Sequence, residues 1–308
     1  MHIDAAALSH IGKKKDKNED SFGIFDAAEP GLRLFQQGML LAVADGLGGH
    51  IGGDIASKLA VSMVKDILKD SPPPEADYGS EREDTLYLEA LKKAIIRAND
   101  SIFQTNRDLI KNKRPMGTTL CAVLVRPHYA YVGNVGDSRG YLFRNGHFAF
   151  RTEDHSWVDE QVKQGLMSRE EADKDNRKNL VTRCIGTHDK IEVDTYRWKI
   201  EPGDQILICT DGLTNMADDA AIATILQKPA SAREKVRLLV DLANGNGGKD
   251  NITVILAWME PDRKVLRNLR VREWLHKQEN KIKKLLLMGI FGFFCFLIGY
   301  LTRYFVSQ

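Results

Sequence analysis

Four short acidic motifs place carboxylates where chemistry could be done: Asn18-Glu19-Asp20, Asp45-Gly46, Asp211-Gly212 and Asp250-Asn251. Three of them border apolar, β-branched runs, at 39–44, 205–209 and 252–257. That pattern sets Asp45 and Asp211 at the ends of buried strands and Asp250 at the start of another. Carboxylates gathered in a low-dielectric setting repel one another unless positive charge lies between them. Divalent cations held by oxygen ligands, Mg2+ or Mn2+, are the economical counter-charge. Taken singly, each Asp-Gly pair also reads as an ordinary turn, and Asp45 as a helix cap.

Strand signals lie at 21–25, 39–44, 118–125, 129–135, 140–143, 195–199, 205–209 and 252–258. Amphipathic helices are expected over 52–68, 84–104 and 232–244, with Leu88, Leu91, Ile95 and Ile102 on one face of the second. The stretch 71–79 holds three consecutive prolines and marks a loop. Strands grouped with strands and helices with helices favour layered sheets covered by helices over alternating βαβ units. Residues 1–260 read as one domain.

The 308-residue chain is 43% hydrophobic and 28% charged, with a formal net charge of +2. That net hides an asymmetry. Residues 262–308 carry ten Lys/Arg against three Asp/Glu, which leaves the preceding part at −5. A mildly acidic domain with a basic tail does not read as a nucleic-acid binder. The four cysteines are far apart with no CxxC or Cys/His ligand spacing, which argues against zinc and a disulfide framework and for a reducing, cytosolic setting. The N-terminus has no signal-peptide pattern.

The motifs KNEDS (17–21), VADGLGGH (43–50), MGTTL (116–120), VGNVGDSRGY (132–141), TEDHS (152–156), LVTRCIG (180–186), TDGL (210–213) and GGKDNITV (247–254) occur in this order. The series resembles the metal-dependent PP2C-type (PPM) serine/threonine protein phosphatases in their bacterial form, over roughly residues 10–258. The resemblance implies an α+β fold, a four-layer αββα sandwich of two antiparallel sheets flanked by helices. It also implies two, possibly three, Mn2+ or Mg2+ ions. Carried over residue by residue, Asp45 bridges two metals, the Gly46 carbonyl binds one, and Asp211 and Asp250 bind the other. Glu19 acts through a metal-bound water, and Asp20 supports the ligands. Asp137 contributes to a weaker third site with Asp211, or is a hairpin-turn residue. Asn251 orients Asp250. A water between two divalent ions loses much of its proton affinity and can attack phosphorus in line, so Asp45 and Asp211 count as catalytic.

Other phosphatase and nucleotide-binding designs are absent. No cysteine has an arginine six positions on, the GDxHG and GNHE signatures are missing, and no GxxxxGK[ST] occurs. The chain also departs from the family pattern. Lys15 stands where the family usually has a phosphate-gripping arginine, and it either contacts the substrate phosphate or belongs to a solvated basic loop. Lysine cannot make the bidentate fork. In the flap segment 157–183, Asp175-Asn176 stands where His-Pro is frequent and Lys178 where Arg is usual. Leu47 replaces a histidine proposed elsewhere as general acid, leaving His50 and His155 as candidates for that role or as structural histidines.

Beyond the domain, 262–284 reads as a basic juxtamembrane helix or linker able to touch anionic lipid. Residues 285–302, LLLMGIFGFFCFLIGYLT, carry no charge and as a helix cover about 27 Å at ~1.5 Å per residue. That suits a single transmembrane helix, with a buried core helix as the alternative. The short tail is 303–308. The Lys/Arg excess before the span puts the domain on the cytoplasmic side, at a bacterial inner membrane. The expectation is therefore a membrane-anchored phosphatase acting on phosphoserine and phosphothreonine proteins, the products of a serine/threonine kinase. The alternatives are a low-activity pseudophosphatase or phosphoprotein-binding regulator that keeps the fold.

Overall fold

The uninterrupted apolar runs in the sequence are strands buried on both faces, and the alternation of side chains along each explains how. In β3 (Met39–Ala44) and β6 (Leu120–Val125), Leu40, Ala42, Ala44, Leu120, Ala122 and Leu124 point one way, toward α1 (Gly53–Asp70) and α2 (Glu81–Leu109). Leu41, Val43, Cys121, Val123 and Val125 point the other way, into a second sheet. There they meet Ile206 and Ile208 of β11 (Gln205–Cys209) and Ile255 and Ala257 of β12 (Ile252–Glu260). On their other faces Leu207, Cys209, Val254 and Leu256 pack on Val236, Leu239 and Val240 of α7 (Ala232–Gly245). Three apolar layers thus separate helices, sheet, sheet and helices. Each fully buried aliphatic side chain contributes on the order of 1.5–3 kcal/mol.

The structure, a computed structural model, describes residues 2–26, 38–47, 52–70, 81–109 and 115–261. The predicted loop 71–79, the basic segment 262–284, the apolar span 285–302 and the tail lie outside them. Among the described residues no helix is long and apolar enough to cross a membrane. Contacts group Met1–Glu260 into one compact unit.

One sheet has the order β10 (Asp194–Lys199), β7 (Tyr129–Val135), β6, β3, β2 (Ser21–Asp26). The other runs β1 (His2–His10), β12, β11, β8 (Arg139–Arg144), β9 (His147–Arg151). Every pairing is antiparallel. The expected strand 118–125 is two pieces. A short β5 (Gly117–Thr118) pairs with β4 (Gly46–Leu47), and the ladder of β6 begins at Leu120. Thr119 breaks the run because its amide donates to the Asp45 carbonyl at 2.9 Å and its hydroxyl receives the Asp45 amide at 3.0 Å. Four short helices complete the unit: α3 (Trp157–Lys163), α4 (Arg169–Lys174), α5 (Asp211–Thr214) and α6 (Asp219–Leu226).

Topology alone brings the acidic motifs to one end of the sandwich. Asp20 precedes β2 and Asp45 follows β3, and these antiparallel neighbours pair Ser21 with Ala44. Asp211 follows β11 and Asp250 precedes β12, joined across Cys209 and Val254. Asp137 sits in the β7–β8 connection, and Arg139 of β8 pairs with Cys209.

Candidate active site

Asp20 spans the two sheets. It belongs to the end of the β2–β3 pair, yet its Oδ2 accepts from the Thr210 hydroxyl at 2.9 Å and the Thr253 hydroxyl at 2.6 Å, both on the opposite sheet. Its Oδ1 is buried without a hydrogen-bond partner. Burial, opposed by the two hydroxyls and aided by Asp211 and Asp250, pushes its carboxyl up to about 7.

Asp45 is fixed through its main chain. Its carbonyl accepts from the Thr119 amide and the Thr118 hydroxyl at 2.8 Å. Asp45 is half-buried, and burial together with Asp20, Asp211, Asp137 and Asp250 raises its carboxyl well above the usual carboxylate range. Gly46 follows at a crowded point. A Cβ there would sit 2.3 Å from the Gly53 carbonyl and 2.6 Å from that of Glu19, so only glycine lets this backbone approach.

Asp211 opens α5, and its carboxyl lies within hydrogen-bonding reach of Asp45. Burial and the neighbouring Asp250 push it up to about 6. Its Oδ2 accepts from Asn215 at 2.9 Å, and its buried Oδ1 has no partner. Asp250 accepts the Asn251 amide at 2.8 Å and the Lys15 amine at 2.6 Å, both on Oδ1. The side chain of Asn251 does not hold Asp250. It knits the acidic loop instead, accepting from the Glu19 amide at 2.8 Å and donating to the carbonyls of Ile11 and Lys17. Glu19 places Oε1 beside the first turn of α1 at Gly53. Asp137 is buried, and burial plus the charges of Asp211 and Asp154 hold its carboxyl well above the ordinary range.

Lys15 stands on an exposed loop, and its amine reaches the cluster at Asp250. Burial would lower its amine, but Asp250, Asp45 and Asp211 outweigh that and raise it. Of the two candidate histidines, His50 lies outside the described residues. His155 is buried, 2% exposed, with its ring turned into the protein.

The structure thus gathers Lys15, Asp20, Asp45, Asp137, Asp211 and Asp250 at one end of the sandwich. It does not close them into a shell: among the described residues no three Asp, Glu, His or Cys side chains converge tightly enough to grip one ion. The donors nevertheless suit a hard divalent cation, being all oxygen, and two buried carboxylate oxygens are left without partners. A cleft of about 510 Å3 opens beside Asp137 and Asp211. Its walls are the α3–α4 flap, including Val158, Arg169 and Lys178, and the α5–α6 segment.

Sequence reasoning missed the threonines that position the acids: Thr119 for Asp45, and Thr210 and Thr253 for Asp20. The signal was present, since a threonine directly precedes Asp211 and another lies three residues after Asp250. Hydroxyls beside buried carboxylates are the expected partners.

Residues 9–257 match the protein phosphatase 2C family. The serine/threonine phosphatase stp of Listeria innocua is 37% identical over 248 residues, covering 80% of this chain and 91% of that protein. Among solved structures, the S. agalactiae serine/threonine phosphatase superposes with a TM-score of 0.74 at 32% identity, over 84% of this chain and 100% of that one. The catalytic domain of the serine/threonine protein phosphatase PstP, solved in complex with two manganese ions, superposes at 0.68 with 31% identity, over 84% and 99% of the two chains.

Proposed function

The chain belongs to the protein phosphatase 2C family and is a serine/threonine protein phosphatase, and from that premise we propose that it is divalent-cation-dependent and works from the membrane. The observation that carries the cation dependence is the cluster of buried Asp20 and Asp137 with partly buried Asp45, Asp211 and Asp250, two of whose carboxylate oxygens are orphaned, beside a cleft. The two manganese ions of the PstP structure support the same reading.

Asp45, Asp211 and Asp250 would hold the cations together with the Gly46 carbonyl. Glu19 and Asp137 lie at their margins, and Asp20 locks the two sheets in register behind them. When bound, such ions activate a water as nucleophile at neutral pH and neutralise the phosphoryl oxygens. The protein does the rest. The threonines fix the carboxylates in advance, so little reorganisation is needed during reaction. Lys15 brings a positive charge to the cluster that can meet a substrate phosphate. The cleft receives the polypeptide that carries the phosphorylated residue. Phosphate release from a phosphothreonine peptide should rise with added Mn2+ and stop with EDTA. Turnover that survives chelation overturns the reading.

For localisation, the uncharged stretch 285–302 and the basic residues before it support a C-terminal anchor with the catalytic unit on the cytoplasmic side. The substrates are then phosphoserine and phosphothreonine proteins made by a kinase at the same membrane, where tethering raises their effective concentration. Full-length protein should sediment with membranes and a chain ending at residue 260 should not. Equal partition of the two would remove the anchor.

A further inference from the structure

We propose that His155 is a positioning residue for phosphoryl hydrolysis: it ties the root of the 157–183 flap to the turn that carries Asp137, and so sets how Asp137 is presented to the cation site. The inference rests on Asp137 taking part in cation binding.

His155 stands just before Ser156, the N-cap of α3, and grips the turn twice. Its ring Nδ1 accepts the Gly136 amide at 3.0 Å, and its own amide donates to the Gly136 carbonyl at 3.0 Å. Its carbonyl accepts the Thr182 amide at 2.9 Å, at the far end of the flap. A peptide amide only donates, so Nδ1 is the acceptor and the ring proton belongs on Nε2. Nε2 lies 3.2 Å from Asp194 Oδ2, off the line of a good hydrogen bond. The other oxygen of Asp194 accepts from Arg183, again in the flap, at 3.2 Å. The far end of the flap thus meets the His155 main chain through Thr182, and lies beside its ring through Arg183 and Asp194.

The turn has little freedom to answer in any other way. Gly136 has φ +107°, and a Cβ built on it would fall 2.5 Å from Thr119 Cβ. On that side Thr119 also joins Ser138 at 2.7 Å, hydroxyl to hydroxyl. Asp137 is thus set between Gly136, held by His155, and Ser138, held by the threonine that fixes Asp45. A shift of the flap root reaches Asp137 through His155, while the Thr119 side stays fixed to Asp45. With both ring nitrogens facing protein groups, the imidazole is a brace and not the acid that protonates the leaving group.

The test measures Mn2+ binding to the full chain by calorimetry, beside kcat and KM on a phosphothreonine peptide. His155→Ala should weaken the weakest Mn2+ binding phase about 10-fold or more and lower kcat, leaving the peptide KM little changed. His155→Asn, whose side-chain oxygen can take the Gly136 amide, should recover most of both. Asp194→Asn, which keeps the ring, should move both readouts the same way by a smaller factor. In an Asp137→Asn background, His155→Ala should add no further loss. Losses that multiply in the double variant, or an Asn variant as poor as Ala, overturn the brace. A silent Asp194→Asn overturns it even where His155→Ala does not fold. A silent Asp137→Asn instead brings down the cation reading beneath it.

Discussion

At the scale of single residues, the acids at the site trade stability for chemistry. Asp45 and Asp211 lie within reach of each other; Asp20, Asp211, Asp137 and Asp250 raise the cost of ionising Asp45, and Asp250 that of ionising Asp211. Asp211→Asn should lower turnover about 100- to 1,000-fold, as loss of one preorganised charge-stabilising group does. The same variant should melt higher than the parent in EDTA, because one buried like charge is gone. A lower melting temperature there would deny that the acids repel. Lys15 makes a second test. Its amine is drawn to Asp250, and its point charge cannot make the bidentate fork of an arginine. Lys15→Arg, with a fork that can hold Asp250 and a phosphate together, should raise kcat/KM about 10-fold. An unchanged value confines Lys15 to Asp250. The sequence pointed to Asp45, Asp211 and Asp250 because each borders an apolar run, and to Glu19, Asp20 and Asp137 through the family resemblance. It could not show Thr210 and Thr253 closing on Asp20, since those contacts join residues 190 and 233 positions apart.

At the scale of elements, the flap is held by polar contacts. Its buried apolar side chains are Val158 and Ala172, on helices of seven and six residues. Ser156 caps α3, and Ser168 with Glu171 forms a capping box on α4. Asp159 links the two helices through Arg169 at 2.6 Å and accepts from the Ser156 hydroxyl at 2.7 Å. Burial opposes its charge, but these partners win and hold its carboxyl below the ordinary value. Its stabilising contribution is therefore complete above the unfolded carboxylate pKa of ~3.9 and fades as pH falls through the lower folded value. Amide exchange in 157–174 should quicken over that acid window before the sheets loosen, and Asp159→Asn should abolish the pH dependence. Flap exchange that tracks global unfolding at every pH contradicts this. Elements with strong apolar runs were legible: 39–44, 129–135 and 205–209 are strands with those bounds. The short helices lacked apolar periodicity, although Ser168-x-x-Glu171 was a usable start signal. β9 was missed despite Asn145-Gly146, which forms the tight turn joining it to β8. β1 is alanine-rich and owes its strand state to its register with β12, which no local window contains.

For the whole molecule, the proposed cation binding links to folding. If the ions bind only the assembled site, Mn2+ at 100 times its Kd should add about 2.7 kcal/mol of stability. The melting temperature of the full chain should climb with the logarithm of Mn2+, and Asp211→Asn should flatten that slope. A parent chain whose melting ignores Mn2+ lacks a site built by the fold. The layered architecture was readable from the grouping of strands and helices, because two-sided burial leaves its mark in continuous apolar runs. The order of strands was not, because β12 inserts between β1 and β11. That insertion has a consequence during synthesis on the ribosome. The strand begun at residue 2 waits for the one that ends at residue 260, and Asp250 arrives with the latecomer. A nascent polypeptide still short of that strand holds Asp45 and Asp211 but can complete neither its sheet nor its catalytic end. Activity therefore waits for residue 260 to emerge, and a protease cut just after α7 silences what it leaves behind.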